Sequence, residues 1–271
     1  MPSWDEVLRA TTDEIARDPD AWFRGYFRQS HDVGETVWRR DLDELRCRDL
    51  FLFALGNVKG QAILDVACGI GLYMVPLGLM GATVSGQDLS GDAVGQAQQA
   101  LARHGLSGCL KVGDATRLQF DDECFDAVVS ADFVEHITAE QKQRFFAEVF
   151  RVLRPGGLFA IKTPNLSYLR LSVMLKRLAA VATGRSPRIY VLHTRGNPDT
   201  EHHGLTTYRR VRAALLESRF HEPRFVRHPL GKHRLPHRLQ FLLPRLPILW
   251  PLFNQHLLVV ARKPIFLGYF K

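Results

Sequence analysis

The stretch Ile63-Leu-Asp65-Val-Ala-Cys-Gly69-Ile-Gly71-Leu72 decides the fold. It reads as a short buried strand, an acidic glycine-rich turn and the opening of a helix. Glycine at 69 and 71 lets backbone approach a ligand, because no Cβ stands in the way. The helix N-terminus behind the turn offers free N–H groups and the positive end of a dipole. The neighbours decide which ligand fits. A dinucleotide turn, G-x-G-x-x-G, needs a third glycine for close helix–strand packing, and that position here is the bulky Met74. A phosphate-cradling P-loop needs a lysine after its second glycine, and none follows. An acid just ahead of the glycines would repel a pyrophosphate, so Asp65 suits a ligand carrying an ammonium group or hydroxyls.

Further strands follow in order. Thr83 to Ser90 is a second strand ending in Asp88, 17 residues past Gly71. In a doubly wound sheet such an acid sits beside the crevice and can accept from ribose hydroxyls. A third strand, Cys109 to Val112, runs into Gly113-Asp114-Ala115. A fourth, Phe125 to Ser130, runs into Ala131-Asp-Phe-Val-Glu135-His136. A fifth, Leu158 to Lys162, is prefaced by Leu153-Arg-Pro-Gly-Gly157. Helical periodicity over 70–80, 90–104 and 139–152 fills the gaps, with Ser90 as a cap and Phe145, Phe146, Val149 and Val152 facing inward. Strands alternating with helices imply a parallel sheet with right-handed crossovers.

The set DVACGIG (65–71), GQDLS (86–90), GDA (113–115), EHI (135–137) and LRPGG (153–157) resembles the class I S-adenosylmethionine-dependent methyltransferases, strongly over about residues 60 to 165 and loosely beyond. The resemblance implies an α/β fold: a Rossmann-like, doubly wound, mostly parallel seven-stranded sheet whose last strand is antiparallel. Residues 1–58 would form a helical N-terminal cap and 59–271 the methyltransferase domain, with a lid insertion at 166–206 and a basic, apolar insertion at 229–255. It also implies S-adenosyl-L-methionine as cofactor. Asp65 with Ala67, Gly69 and Gly71 would take the methionine part, and Asp88 the ribose, unless Asp65 or Asp88 only caps a helix. Leu89 would lie beside the adenine. Asp114 would accept from the adenine amino group, Ala115 would donate its N–H to the ring, and Ala131 would line the same crevice. Two departures are visible: Ala67-Cys68 replaces a Gly-Cys or Gly-Ser pair, at little expected cost, and Ile70 removes a hydroxyl that many members place there.

Transfer to a hydroxyl acceptor requires removal of its proton. An imidazole with an ordinary pKa of ~6.5 can do this near neutrality. His136, His202 and His203 are the candidate bases. Glu-His after the fourth strand resembles small-molecule O-methyltransferases, including the ubiquinone-pathway type, and His202-His203 ahead of Thr207 resembles a segment in glycan- and quinone-modifying members. Each histidine can equally shape a loop. Tyr26 and His31, within an N-terminal segment that would fold over the cleft, and Glu135 are candidate acceptor contacts. No Asp/Asn-Pro-Pro-Tyr run follows the fourth strand, which argues against amino-group methylation of bases. Cys124 precedes that strand, where cytosine C5 chemistry would need a cysteine after it. A small-molecule, lipid-like or carrier-linked acceptor remains, with N- or C-methylation, an RNA substrate or a catalytically silent scaffold as alternatives.

Charge separates the chain into two parts. Residues 1–164 carry 17 Lys/Arg and 24 Asp/Glu, whereas residues 165–271 carry 19 and 4. The basic third predicts an anionic contact or a solvated basic face. Within it, 229–255 mixes cations and large apolar residues with prolines at 236, 244, 247 and 251, which forbid one long helix. Such a segment fits an interfacial membrane anchor or a lipid clamp, or packs on its own sheet or on a second copy in a homodimer. The four cysteines, Cys47, Cys68, Cys109 and Cys124, lack C-x-x-C spacing, which predicts a reducing compartment and no zinc site. With no signal peptide and no apolar run of ~18 residues, the expected location is cytoplasmic, at most peripheral to a membrane.

Overall fold

Residues 50–190, 192, 202, 204–227 and 250–265 are described by a computed structural model. The N-terminal aromatics, and residues 229–249 of the basic, apolar insertion, lie outside the described residues. Seven strands form one sheet in the order β3-β2-β1-β4-β5-β7-β6. These are β1 (Ala62–Val66), β2 (Thr83–Asp88), β3 (Gly108–Val112), β4 (Phe125–Ala131), β5 (Leu153–Pro164), β6 (His221–Val226) and β7 (His256–Arg262). The first five run parallel, and β7 lies antiparallel between β5 and β6. The expected sheet is thus borne out.

The central strands are apolar on both sides because helices cover both faces. Leu64, Val128, Phe159, Ile161, Leu257 and Val259 pack with Phe145, Phe146 and Leu215 on one face. Ile63, Ala127, Val129, Ala160, Leu258 and Val260 pack with Phe51, Met74, Leu77 and Leu101 on the other. Alternate residues of one strand serve opposite layers, as the two-residue strand period requires. The helices are α1 (Met74–Leu79), α2 (Gly91–Arg103), α3 (Ala139–Val152), α4 (Leu166–Ala182), α5 (Tyr208–Glu217) and the short α6 (Trp250–Phe253).

Met74, which rules out the dinucleotide turn, is fully buried. A Cβ on Gly86 would lie 2.8 Å from its sulfur. The small residue that a dinucleotide fold keeps on the helix stands here on the neighbouring strand. Helix starts follow side-chain capping. Ser90 Oγ accepts from Ala93 N–H at 3.1 Å, and Thr138 and Gln141 form a reciprocal capping box. The Pro223 ring is tolerated because β6 is an edge strand with a bulge between His221 and Arg224.

β5 begins five residues before its expected start. The Arg154-Pro-Gly-Gly157 run looks like a turn, yet Leu153 pairs with Phe125 across a register shift.

Candidate functional site

All five parallel strands point their C-terminal ends to one edge of the sheet, and the order reverses between β1 and β4. Crevices at such a reversal are where open α/β sheets bind ligands. The turn after β1 is built there. Ala67 and Cys68 N–H both donate to Gln87 O, at 2.8 and 3.3 Å, and Gly71 N–H donates to Cys68 O at 2.9 Å. Gly69 holds φ +52° and Gly71 φ +83°. A Cβ at Gly71 would press on Ala97 at 3.4 Å, whereas one at Gly69 would meet nothing within 4 Å. Gly69 therefore faces open space and Gly71 faces the helix α2.

Ala67 needs a correction to the expectation of little cost. It holds φ +59°, the left-handed region, where its Cβ crowds the following carbonyl. The usual glycine would sit there without strain, and alanine costs on the order of 1 kcal/mol.

Two acids bracket this turn. Asp65 is buried, and its Oδ2 has no hydrogen-bond partner among the described residues. Burial, helped by the nearby Asp88 charge, pushes its carboxyl well above the usual carboxylate range. A buried polar atom without a partner is costly, so a donor arriving at Asp65 would be favoured. Asp88 accepts from Gly69 N–H at 2.9 Å through Oδ2 and from Ser90 N–H at 3.0 Å through Oδ1. A carboxylate accepts only, so at the end of β2 it suits hydroxyl donors. Leu89, beside it, is exposed.

Gln87 is a residue that sequence reasoning missed. It is buried, donates from Nε2 to Asp114 O at 2.8 Å, and accepts from Gln119 N–H at 2.9 Å. It thereby ties the loop carrying Asp114 and Ala115 to β2. The available signal was a side-chain amide inside an apolar strand, one position before the acid. Asp114 Oδ1 accepts from Thr116 N–H at 2.8 Å, so one of its oxygens orders the loop.

The ends of β4 and β5 form a second cluster. Past Ala131, Asp132 holds φ +54°, donates its N–H to Lys162 O at 2.8 Å, and pairs with the buried Lys162 ammonium. Glu135 is buried and accepts from Thr163 Oγ1 at 2.9 Å. Burial and the Asp132 charge raise its carboxyl to about 7.

The His136 and His202 rings lie 4.7 Å apart at 40°. Gly204 brings His202 there: its N–H donates to Glu135 O at 2.7 Å, and its carbonyl accepts from the Lys142 ammonium. A Cβ at Gly204 would overlap Ile137 O and sit 2.7 Å from Val134 O. Only glycine permits that approach. Burial lowers the Lys142 amine to about 8.

The Glu135 carboxylate and the ring nitrogens of His136 and His202 offer ligand atoms within 4.8 Å of one another. That spacing suits a divalent cation. The cysteine spacing behind the expectation of no metal does not bear on a Glu/His set. Cys68, Cys109 and Cys124 are free thiols.

The structure thus brings Asp65, Ala67, Gly69, Gly71, Asp88 and Leu89 around one turn. Asp114 and Ala115 stand on the next loop, and Ala131, Glu135, His136 and His202 gather at β4. Tyr26, His31 and His203 lie outside the described residues.

A family model described as "Methyltransferase domain" matches residues 64–161. Over 108 residues the chain is 34% identical to a ubiquinone biosynthesis O-methyltransferase of Rhizobium leguminosarum bv. trifolii, covering 40% of this chain and 42% of that protein. Over 165 residues it is 32% identical to the Bartonella bacilliformis protein of the same name, covering 60% and 66%. The chain therefore spans only part of the length of these relatives. The Haemonchus contortus phosphoethanolamine N-methyltransferase 2, solved in complex with S-adenosyl-L-methionine, has the same fold, with a TM-score of 0.55, 20% identity, and 81% of this chain and 52% of that one covered. Residues 64–161 thus belong to the methyltransferase domain family, and the sheet has the strand order expected of the class I S-adenosylmethionine-dependent methyltransferases.

Proposed function

We propose that this protein is an S-adenosylmethionine-dependent O-methyltransferase acting on a hydroxyl of a small-molecule, lipid-like or carrier-linked acceptor. The observation that carries the reading is the pair His136–His202 over the buried Glu135, at the same sheet edge as the acid-lined turn. The bound cofactor supplies an activated methyl group on a sulfonium. The chain's own task is then to hold donor and acceptor in line and to take the acceptor's proton.

Asp65, with an oxygen lacking a partner, and the open ground at Gly69 suit an ammonium-bearing chain. Asp88, at the end of β2, accepts from the ribose hydroxyls, with Leu89 against the base. Asp114 and Ala115 take the adenine edge, and Ala131 lines the crevice. On the acceptor side, one imidazole of the His136–His202 pair accepts the hydroxyl proton. Glu135, fixed by Thr163, offsets the positive charge that then develops on the ring. Tyr26, His31 and His203 complete the assignment as acceptor contacts and a third candidate base. The relatives' names as ubiquinone biosynthesis O-methyltransferases support a hydroxyl-bearing acceptor.

The test is transfer of a labelled methyl group to extracts and to a panel of phenols and lipid alcohols. His136→Ala and His202→Ala should each lower turnover by about 10²–10⁴-fold while S-adenosylmethionine affinity holds. Label fixed on nitrogen, carbon or RNA would replace the O-methyl reading. Donor binding without any transfer would favour the scaffold.

A further inference from the structure

α4 is apolar on two sides. Leu166 and Ala180 are buried, and at 3.6 residues per turn they define the side packed on the body of the protein. Met174, Leu175, Leu178 and Val181 are 50–63% exposed. By the same period Met174, Leu178 and Val181 form an exposed stripe beside that packed side, and Leu175 stands directly opposite it. Surface helices ordinarily keep that outer side polar. A contiguous exposed apolar patch marks an interaction site.

Charge selects the partner. Residues 166–190 contain Arg170, Lys176, Arg177, Arg185 and Arg188 and no Asp or Glu. Arg170 and Arg177, seven residues apart, flank one edge of the stripe, and Lys176 lies beyond the other. Arg177 Nε donates to Tyr190 O at 2.9 Å, which folds the basic stretch at 185–190 back along the helix. A second copy of this chain would set like charges against like. An anionic lipid surface meets both features, because its headgroups pair with the cations and its hydrocarbon receives the stripe.

We propose that α4 is the face by which this protein docks in the plane of an anionic membrane. No described helix is long and apolar enough to cross a membrane, which fits a helix lying in the interface. The helix is joined to the rim of the candidate site. Asn165 caps it, accepting from Ser167 N–H at 3.1 Å, and donates from Nδ2 to Asn254 O at 2.8 Å. Leu166 N–H donates to Thr206 O at 3.0 Å, and Thr163, two residues before the cap, holds Glu135. Docking through α4 therefore sets the crevice beside the lipid surface. The docking itself does not rest on methyl transfer and is read without it.

The test is co-sedimentation of the full chain with phosphatidylcholine vesicles with and without phosphatidylglycerol. The protein should pellet with the anionic vesicles at low salt and be released about tenfold at ~0.5 M salt, where charge is screened. Leu175→Ser with Leu178→Ser should lower partitioning at least about tenfold, with circular dichroism and melting temperature unchanged. Arg170→Gln with Lys176→Gln should flatten the salt dependence. A wild-type chain that stays in the supernatant, or a double serine variant that pellets like it, would overturn the proposal. So would a lipid-free dimer that the serine variant dissolves, since the stripe would then be a self-interface.

Discussion

The two halves of the crevice are built differently. The half at β1, β2 and β3 is made of neighbours in the chain: a strand, the turn leaving it, and an acid at the next strand's end. Its ties span 19 to 32 residues, from Gly69 to Asp88 and from Gln87 to the Asp114 loop and Gln119. The half at β4 and β5 is closed by segments far apart in sequence. Glu135 meets Thr163, His136 meets His202, and Gly204 docks on the 134–137 turn. In the proposed reading, a donor common to a whole family is served by local turns, and an acceptor particular to one enzyme by a surface that only the folded chain assembles.

The sharpest way to break this contrast is Gly204→Ala. Its Cβ would overlap a backbone carbonyl, so the 202–206 segment must shift and His202 with it. A displacement of about 1 Å can cost ~100-fold in rate, and turnover should fall by at least that factor. Donor affinity should stay within about twofold, because the atoms nearest a Cβ at Gly204 belong to Val134, Glu135 and Ile137 and not to the β1 turn. Equal losses in calorimetric donor affinity and in turnover would show that the halves are not separable.

A smaller effect tests the acceptor half through pH. The Glu135 carboxyl sits at about 7 in the folded chain, against an ordinary 4.5. The folded state thus holds a proton that the unfolded chain releases. That contribution is fully present below pH ~4.5 and is lost as pH rises through about 7. Glu135→Gln should remove this part of the slope, leaving the variant more stable than wild type above pH ~7 by on the order of 2 kcal/mol. Urea unfolding at several pH values checks it, and parallel profiles for the two proteins would contradict it.

The smallest effect belongs to the donor half. Ala67→Gly relieves φ +59°, although the extra freedom of unfolded glycine takes back part of the gain. The expected gain is about 0.5 kcal/mol, or ~1–2 °C in melting temperature. A melting temperature lowered by the glycine would show that the turn carries no strain at this position.

The same contrast explains what the sequence made legible. Asp65, Gly69, Gly71, Asp88 and Asp114 announce themselves because turn, acid and strand are adjacent in the chain. The extra length of β5 was not legible, because Arg-Pro-Gly-Gly carries turn chemistry and pairs only through a register shift. Burial of Glu135 was hidden as well: an acid reads as solvent-facing until Thr163 is seen against it. Nothing local says that Gly204 must be glycine, because its φ is ordinary and the crowding comes from carbonyls some 70 residues away. Gln87 was hidden for the opposite reason, overshadowed by the acid that follows it.

The central claim is that the β1 turn and the acid ending β2 bind the methyl donor. Isothermal titration of the full chain with S-adenosylmethionine, beside Asp88→Ala, tests it most directly. The wild type should show saturable binding at one site. The variant, having lost the contacts of a charged acceptor to two hydroxyls, should bind at least about 100-fold more weakly. Equal affinity in both proteins would contradict the assignment.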